Sequence, residues 1–434
     1  MKINLLAPHP FFQNRGTPID VLLVLKVLAY RKGTAVDLVA YNEGSDVELP
    51  NLRIFRTPSL RLTRSVRPGF SFKKIVADFF MFLTAWRLVR RNGYDLIHAG
   101  EEAVFLALFF KFIYRIPYVY DLDSSIAQQM VEKYPALGVF SSLFNFIEGF
   151  AIRNSLASLP VCNALAELCR KRGSKKTVTL HDISQLKNPD APASGQLRQD
   201  LGIKGLMLLY CGNLEKYQGI DLLLESFAIA CKETDQIDLV IIGGGLSDIE
   251  FYRAKAGGLG LDRKVHFLGP KPFEQLDGFL VEADILVAPR IKGVNTPMKV
   301  FPYLHSGKPV LLTDLYTHTQ ILTKQEAYLA PADPRGFAEG ILRLANDKNL
   351  RQSLGRKGRA FVEKNHTFEA HSARLNGVYD WIENQLQLAK THGGYGLGAA
   401  ACLKDAGRVN RYAYRRQAVT AAVGGGSRNI KGEE

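Results

Sequence analysis

Ala288-Pro289-Arg290-Ile291-Lys292-Gly293-Val294-Asn295-Thr296-Pro297-Met298-Lys299, running on through Tyr303-Leu304-His305-Ser306-Gly307-Lys308-Pro309-Val310, has the form strand, glycine-bearing loop, helix start, glycine turn, strand. A helix opening in such a loop offers unpaired backbone N–H groups and a partial positive charge, which suit an anion. Thr296-Pro297 fits the start: Thr caps, and Pro at the first helical position loses no hydrogen bond. Lys299 then lies in the first turn, near where a bound phosphate would sit. An ordinary connection between strands explains the same letters, because Gly and Pro punctuate many turns that hold no ligand.

Outward from this stretch, short apolar runs alternate with helix-length amphipathic segments, the pattern of parallel βαβ units. The fold class is therefore α/β. Strands are expected at Ile3 to Ala7, Ala35 to Tyr41, Leu52 to Arg56, Leu96 to Ala99, Tyr118 to Asp121, Leu156 to Val161 and Thr177 to His181. A polar stretch rich in breakers, Lys187 to Gly195, has the composition of a linker. A second series follows it, at Leu206 to Cys211, Asp238 to Gly243, Lys264 to Leu268, Asp284 to Pro289 and Pro309 to Thr313. The expected organisation is two doubly wound, Rossmann-like domains, 1–186 and 201–366, facing a central cleft and joined by 187–200.

Length 434 and 47% hydrophobic content suffice for sizeable cores. A formal charge of +14 suggests an anionic partner. The basic residues are dispersed and no reading motif appears, which argues against nucleic acid. Five cysteines without metal spacing fit a reducing cytoplasm better than a secreted disulfide framework. The apolar runs near Phe79 to Val89 and Ala103 to Tyr114 are interrupted by Arg87 and Lys111, so no spanning helix is expected. Arg61 to Arg91 nevertheless mixes basic and aromatic residues as an interfacial helix does, which makes an anionic membrane surface a candidate partner and the inner face of a membrane a candidate location. A helix packed on its own sheet with a solvated basic rim has the same composition.

Ligands of such sheets bind beyond the carboxyl ends of strands. Three loops there stand out: Gln13-Asn14-Arg15-Gly16-Thr17-Pro18, Gly212-Asn213-Leu214-Glu215-Lys216-Tyr217-Gln218-Gly219, and Gly243-Gly244-Gly245. None has G-x-G-x-x-G spacing, which argues against a nicotinamide enzyme. Taken together with Tyr94-Asp95-Leu96-Ile97-His98, Val119-Tyr120-Asp121, Ala283 to Val287 and Ser306 to Val310, these segments resemble the retaining glycosyltransferases of the GT-B fold in family 4, over about residues 1–390. The resemblance implies an acceptor-side first domain, with Arg15, Gly16 and Thr17. It implies a second domain holding a nucleotide-activated sugar, and a final helix, 367–390, crossing back. The activity implied is transfer of a hexose-type sugar, with retention, to a glycan, lipid-linked or small-molecule hydroxyl acceptor.

The chain departs from the family pattern at four positions. Two carboxylates eight residues apart are replaced by Val294 and Pro302, and the Arg and Lys of a G-R-L-x-x-x-K-G loop by Asn213 and Gln218. Two explanations stand. In one, Lys299, Lys216 or Arg290 supplies the missing positive charge and the Asn295-Thr296-Pro297 helix start binds phosphate oxygens; Gly212, Asn213, Gln218 and Gly244 complete the donor side. In the other, the chain is a non-catalytic glycan- or sugar-nucleotide-binding relative. A phosphate-binding α/β enzyme of another chemistry is a third class.

Sugar transfer asks for charge stabilisation on the leaving diphosphate and placement of the acceptor, so neither cofactor nor metal is expected. Asp121-Leu122-Asp123 has the letters of a D-x-D metal signature, but hydroxyl binding by Asp121 is preferred, with helix capping or exposure for Asp123. His98 is expected to contact the transferred sugar, and Glu101 to serve the reaction centre; a satisfied core histidine and a dipole-favoured helix start are the alternatives. The glycine-rich 391–434 segment is expected to be a tail without fixed structure.

Overall fold

The structure, a computed structural model, describes residues 1–13, 16–60, 63, 71–190 and 192–391. The first half runs β1 (Lys2–Ala7), α1 (Gly16–Tyr30), β2 (Ala35–Ala40), β3 (Leu52–Arg56), α2 (Phe72–Arg91), β4 (Leu96–Gly100), α3 (Ala103–Tyr114), β5 (Tyr118–Leu122), α4 (Ile126–Lys133), α5 (Ser141–Asn154), β6 (Ala157–Pro160) and α6 (Asn163–Lys171). The second runs α7 (Gln196–Leu201), β7 (Leu206–Cys211), α8 (Ile220–Glu233), β8 (Ile237–Ile242), α9 (Leu246–Gly258), β9 (Val265–Gly269), α10 (Leu276–Glu282), β10 (Ile285–Ala288), α11 (Val300–His305), β11 (Val310–Thr313), α12 (Tyr316–Thr319) and β12 (Tyr328–Ala330). Then come α13 (Pro334–Asn346), α14 (Lys348–Asn365) and α15 (Phe368–Thr391). Both sheets belong to one compact unit, Met1–Val378, and α15 continues beyond it.

Each half carries a six-stranded parallel sheet, ordered β3-β2-β1-β4-β5-β6 and β12-β11-β10-β7-β8-β9. Two-residue periodicity divides the second core between the faces of its sheet. Leu208, Tyr210, Leu239, Ile241, Ile285 and Val287 point into one apolar cluster. Their neighbours Met207, Leu209, Val240, Ile242, Leu286 and Ala288 point into the other. Strands covered on both faces read as unbroken apolar runs, which is why β7, β8 and β10 were recognisable by sequence.

In the first half the chain steps from β1 to β2 and β3, then returns through α2 to β4 and onward through α3 and α5. Right-handed crossovers put helices that step in opposite directions on opposite faces, so α2, α3 and α5 share the face away from α1. Ring contacts agree: Phe82 of α2 meets Phe109 of α3 edge-on at 5.3 Å, and Phe112 of α3 stacks on Phe150 of α5 at 6.0 Å.

The expected strand at Thr177 to His181 is not a regular strand. That segment runs beside β6 with one bridge, Ser158 to Thr177, although the Val178 and Leu180 amides donate to the Ser158 and Pro160 carbonyls at 3.1 and 2.9 Å. The short β12 is too brief to carry a period and has no sequence signal. Against the expectation of no spanning helix, the stretch Pro135–Asn154 is long and apolar enough to cross a membrane. The start of α15 reaches the first half, where Arg31 donates to the Asn376 side chain at 3.0 Å. The tail reading for 391–434 falls outside the described residues beyond Thr391.

Packing of α14 against the turn after α11 leaves no room for a side chain at Gly355, where a Cβ would stand 2.0 Å from the Gly307 carbonyl oxygen. Gly355→Ala is expected to destabilise the protein by about 1–3 kcal/mol through overpacking, read as a lowered midpoint in thermal unfolding.

Candidate functional site

Strand order reverses between β1 and β4 in the first sheet and between β7 and β10 in the second. Loops leaving neighbouring strands in opposite directions part there and open a crevice at the carboxyl ends. The two crevices face one cleft of about 1080 Å³, lined by the loop after β1, Glu101 after β4, the loops after β7 and β8, and the segment from Arg290 to Tyr303.

The second-half wall is held together by close backbone approach. Gly243, with φ of 110°, lies so near the loop after β7 that a Cβ would stand 2.1 Å from the Gly212 carbonyl oxygen. At Gly212 a Cβ would meet the Lys299 ammonium at 2.3 Å. Both positions therefore need glycine for the wall to take this shape.

Lys299 does not sit as a first-turn residue of a helix starting at Thr296-Pro297. The helix α11 begins at Val300, and the Val300 and Phe301 amides already donate to the Pro297 and Met298 carbonyls at 3.0 and 3.2 Å. Thr296 caps nothing, because its hydroxyl donates to the Thr317 carbonyl at 2.9 Å. Asn295 also has another task. Its amide donates to the Asp123 carbonyl, its side-chain oxygen lies 3.7 Å from the Cys162 sulfur, and its carbonyl accepts from the Thr317 hydroxyl at 2.5 Å. Asn295 thus ties the two halves together at the rim of the cleft. Val294, where the family pattern has a carboxylate, packs against the apolar core of the first half.

What the segment delivers is positive charge. The Lys299 ammonium donates to the Tyr210 hydroxyl at 2.7 Å and to the Gln218 side-chain oxygen at 3.2 Å, and lies 3.9 Å from the Tyr210 ring centre. The Tyr210 hydroxyl in turn donates to the Asn213 carbonyl at 2.6 Å. Arg290 lies over the Tyr217 ring at 5.2 Å, its Nε donating to the Lys292 carbonyl at 2.8 Å. Among the described residues no carboxylate pairs with either cation. Burial pulls Lys299 down to about 7, and it lowers Arg290 as well. Asn213, Gln218, Gly212 and Gly244 line the cleft beside them, whereas Lys216 is exposed and does not. The reading of Lys216 as a donor-side cation is corrected accordingly: the 3-10 turn Lys216–Gln218 directs residue 218 inward and residue 216 out.

The first-half wall has the opposite sign. Gly16, Thr17, Asp20, Glu101 and Asp123 line it, with Asp182 from the segment joining the halves. The Thr17 hydroxyl lies 3.5 Å from Glu101 Oε1, and Glu101 lies 3.7 Å from Lys74. Burial, then Asp182 and Asp123 nearby, push Asp20 well above the usual carboxylate range. Burial, then Asp121, Glu101 and Asp182, do the same to Asp123, and burial raises Asp182 to about 6. Arg15 lies outside the described residues.

The two aspartates of the D-x-D letters exchange the expected roles. Asp121 takes His98 Nε2 at 3.0 Å, with the imidazole buried, and neither residue lines the cleft. Asp123 faces the cleft instead, and the cap of α4 is Ser125. Strand alternation would put residues two apart on the same side; the difference is that Asp121 still belongs to β5, whereas Asp123 lies past its end at Leu122, where the chain has left the strand. Among the described residues no group of three His, Cys, Asp or Glu side chains could hold a metal ion. Asp20 and Asp182 escaped sequence reading. Asp20 had a weak signal, as the lone carboxylate in the apolar run Ile19 to Leu25; Asp182 had none.

Residues 195–361 match the family model described as glycosyl transferases group 1. The D-inositol 3-phosphate glycosyltransferase of Corynebacterium diphtheriae is 27% identical over 224 residues, which cover 47% of this chain and 49% of that protein. The chain thus spans about half the length of the curated relatives it matches. Sucrose-phosphate synthase from Thermosynechococcus elongatus has a similar structure, with a TM-score of 0.72 and 19% identity over 88% of this chain and 99% of that one. Anabaena HepE, solved in complex with UDP-glucose, gives 0.67 and 16% over 88% and 99%. The fold is GT-B.

Lys299 also makes stability depend on pH. Between about pH 7 and the ordinary lysine range the unfolded chain holds a proton at residue 299 that the folded chain lacks, so this residue's contribution rises with pH across that window. The stability of Lys299→Met relative to the parent is expected to be greatest at and below pH 7 and to fall steadily toward pH ~10 in denaturant titrations.

Proposed function

We propose that this chain transfers a sugar from a nucleoside-diphosphate donor to a hydroxyl acceptor, with retention of anomeric configuration. The observation that carries the reading is the pair of half-buried cations, Lys299 and Arg290, set without carboxylate partners on the second-half wall. A buried, unpaired ammonium is costly, and a diphosphate is the counter-ion that would offset the cost. The match of residues 195–361 to glycosyl transferases group 1, and the UDP-glucose held by a protein of like fold, support the same ligand class.

Two of the four departures from the family 4 pattern then become one rearrangement. Asn213 and Gln218 stand where that pattern has Arg and Lys, and Lys299 reaches Gln218 from the facing segment at 3.2 Å. Positive charge arrives at the same loop from another strand. Cleavage of the anomeric C–O bond leaves a nucleoside diphosphate, whose developing charge Lys299 and Arg290 would stabilise. The acceptor oxygen then bonds to the anomeric carbon, and its proton passes to the oxygen of the departing diphosphate. Hydroxyls of donor sugar or acceptor would be held by the first-half carboxyls Asp20, Asp123 and Glu101. No cofactor is assigned, and the transferred sugar is of the hexose type.

Thermal-shift measurement with a nucleoside diphosphate panel beginning with UDP is expected to show stabilisation that weakens above about pH 7, because the complex needs Lys299 protonated. Lys299→Met should bind at least about tenfold more weakly and lose that pH dependence. Release of nucleotide from its sugar, measured with hydroxyl acceptors, should be abolished by Lys299→Ala. Stabilisation without turnover in the parent would instead fit a non-catalytic binding protein, and unchanged transfer by the Lys299 variant would remove the assignment.

A further inference from the structure

The outer face of the first half is unusually apolar for a surface. On α2, Phe72, Ile75, Phe79 and Trp86 form a stripe at helical spacing, with Phe72 at 72% exposure. On α3, Phe109, Phe112 and Ile113 continue it, and on α5, Leu143, Phe146, Ile147 and Phe150 complete it, with Phe146 at 63%. The three stripes are joined side by side: Phe82 of α2 meets Phe109 of α3 at 5.3 Å, Trp86 donates to the Tyr114 hydroxyl at 2.6 Å, and Phe112 stacks on Phe150. A continuous patch of this kind marks an interaction surface.

Charge identifies the partner. Only two carboxylates occur on α2, α3 and α5, and both turn inward. Asp78 accepts from the Tyr41 hydroxyl at 2.5 Å, and Glu148 is buried against Ser125, the Ile126 amide and Arg172. Exposed charge on these helices is positive, from Lys73, Arg87, Arg90, Arg91 and Arg153. We infer that this α2–α3–α5 face docks in the plane of an anionic lipid bilayer, aromatic side chains entering the interface and arginines meeting lipid phosphates. A second copy of the chain fits worse, because a two-fold contact would set the same cations against each other. Pro135–Asn154 has the length to span, yet it is tied down. The Tyr118 hydroxyl donates to the Ala151 carbonyl at 2.6 Å and Glu148 is held in the core, so α5 lies flat.

The inference stands on this surface alone, independent of sugar transfer, and nucleotide binding serves as the control. The full chain should sediment with vesicles of phosphatidylcholine containing about a third phosphatidylglycerol at low salt, and less so at high salt or without the anionic lipid. Phe112→Ser combined with Phe146→Ser should lower partitioning at least about tenfold. Arg87→Glu with Arg91→Glu should remove the preference for anionic vesicles. Nucleotide binding and the unfolding midpoint should be unchanged in both. In the parent, brominated lipid should quench Trp86 fluorescence, measured in a Trp381→Phe background. Three outcomes would overturn the proposal: no sedimentation with anionic vesicles at low salt, partitioning indifferent to the phenylalanine pair, or a dimer that the same pair disperses while lipid is ignored.

Discussion

A lysine ammonium enclosed beside a tyrosine ring, with no carboxylate to balance it, is the constraint on which the second-half wall depends. Lys299 holds Tyr210, Gln218 and, through Tyr210, the Asn213 carbonyl. These contacts join the ends of β7 and α11 to the loop between them. The enclosure pulls the side chain down to about 7, so that it is part-protonated at physiological pH, and Gly212 is needed to make room for it. Without a ligand the arrangement stores unfavourable desolvation; with an anion the same enclosure strengthens attraction, because little water remains to screen it.

The cleft is polarised between its halves. Carboxyls crowd the first-half wall until burial and mutual repulsion push Asp20 and Asp123 well above the usual carboxylate range, while the second-half wall offers Lys299 and Arg290. Such a gap can orient one molecule with an anionic end and a hydroxyl-rich end. The halves remain connected at one rim through Asn295 to Asp123 and through Gln320, whose side-chain oxygen accepts from the Ala164 amide at 3.1 Å. The same loop that presents the cations therefore also sets the spacing between the walls.

The apolar face lies on the flank formed by α2, α3 and α5, and the cleft lies at the carboxyl ends of the strands between them. Right-handed crossovers impose both facts: helices that step in one direction gather on one face, and the loops before them gather at one edge. A chain docked by that flank keeps the cleft beside the membrane surface rather than beneath it.

Sequence alone determined the α/β class, the two series of strands and the glycine-bearing loops, because buried parallel strands leave unbroken apolar runs and turns need particular residues. It named Lys299, Lys216 and Arg290 as candidate cations, Lys299 for its place in an expected first helical turn. It went wrong where one pattern serves two structures. Thr296-Pro297 has the letters of a helix start, yet the Thr296 hydroxyl found Thr317, and α11 began four residues later at Val300. Lys216 and Lys299 are equivalent in composition, and only the turn at Lys216–Gln218 sends one to solvent while α11 sends the other inward. Asp121 and Asp123, two apart, would share a side by alternation, and differ because β5 holds the first and ends before the second. Asp20 and Asp182, 162 positions apart by number, become neighbours solely because the segment joining the halves passes α1. Local pattern is written along the chain, but the protonation and facing of a side chain depend on what the fold brings beside it, and only tertiary structure decides that.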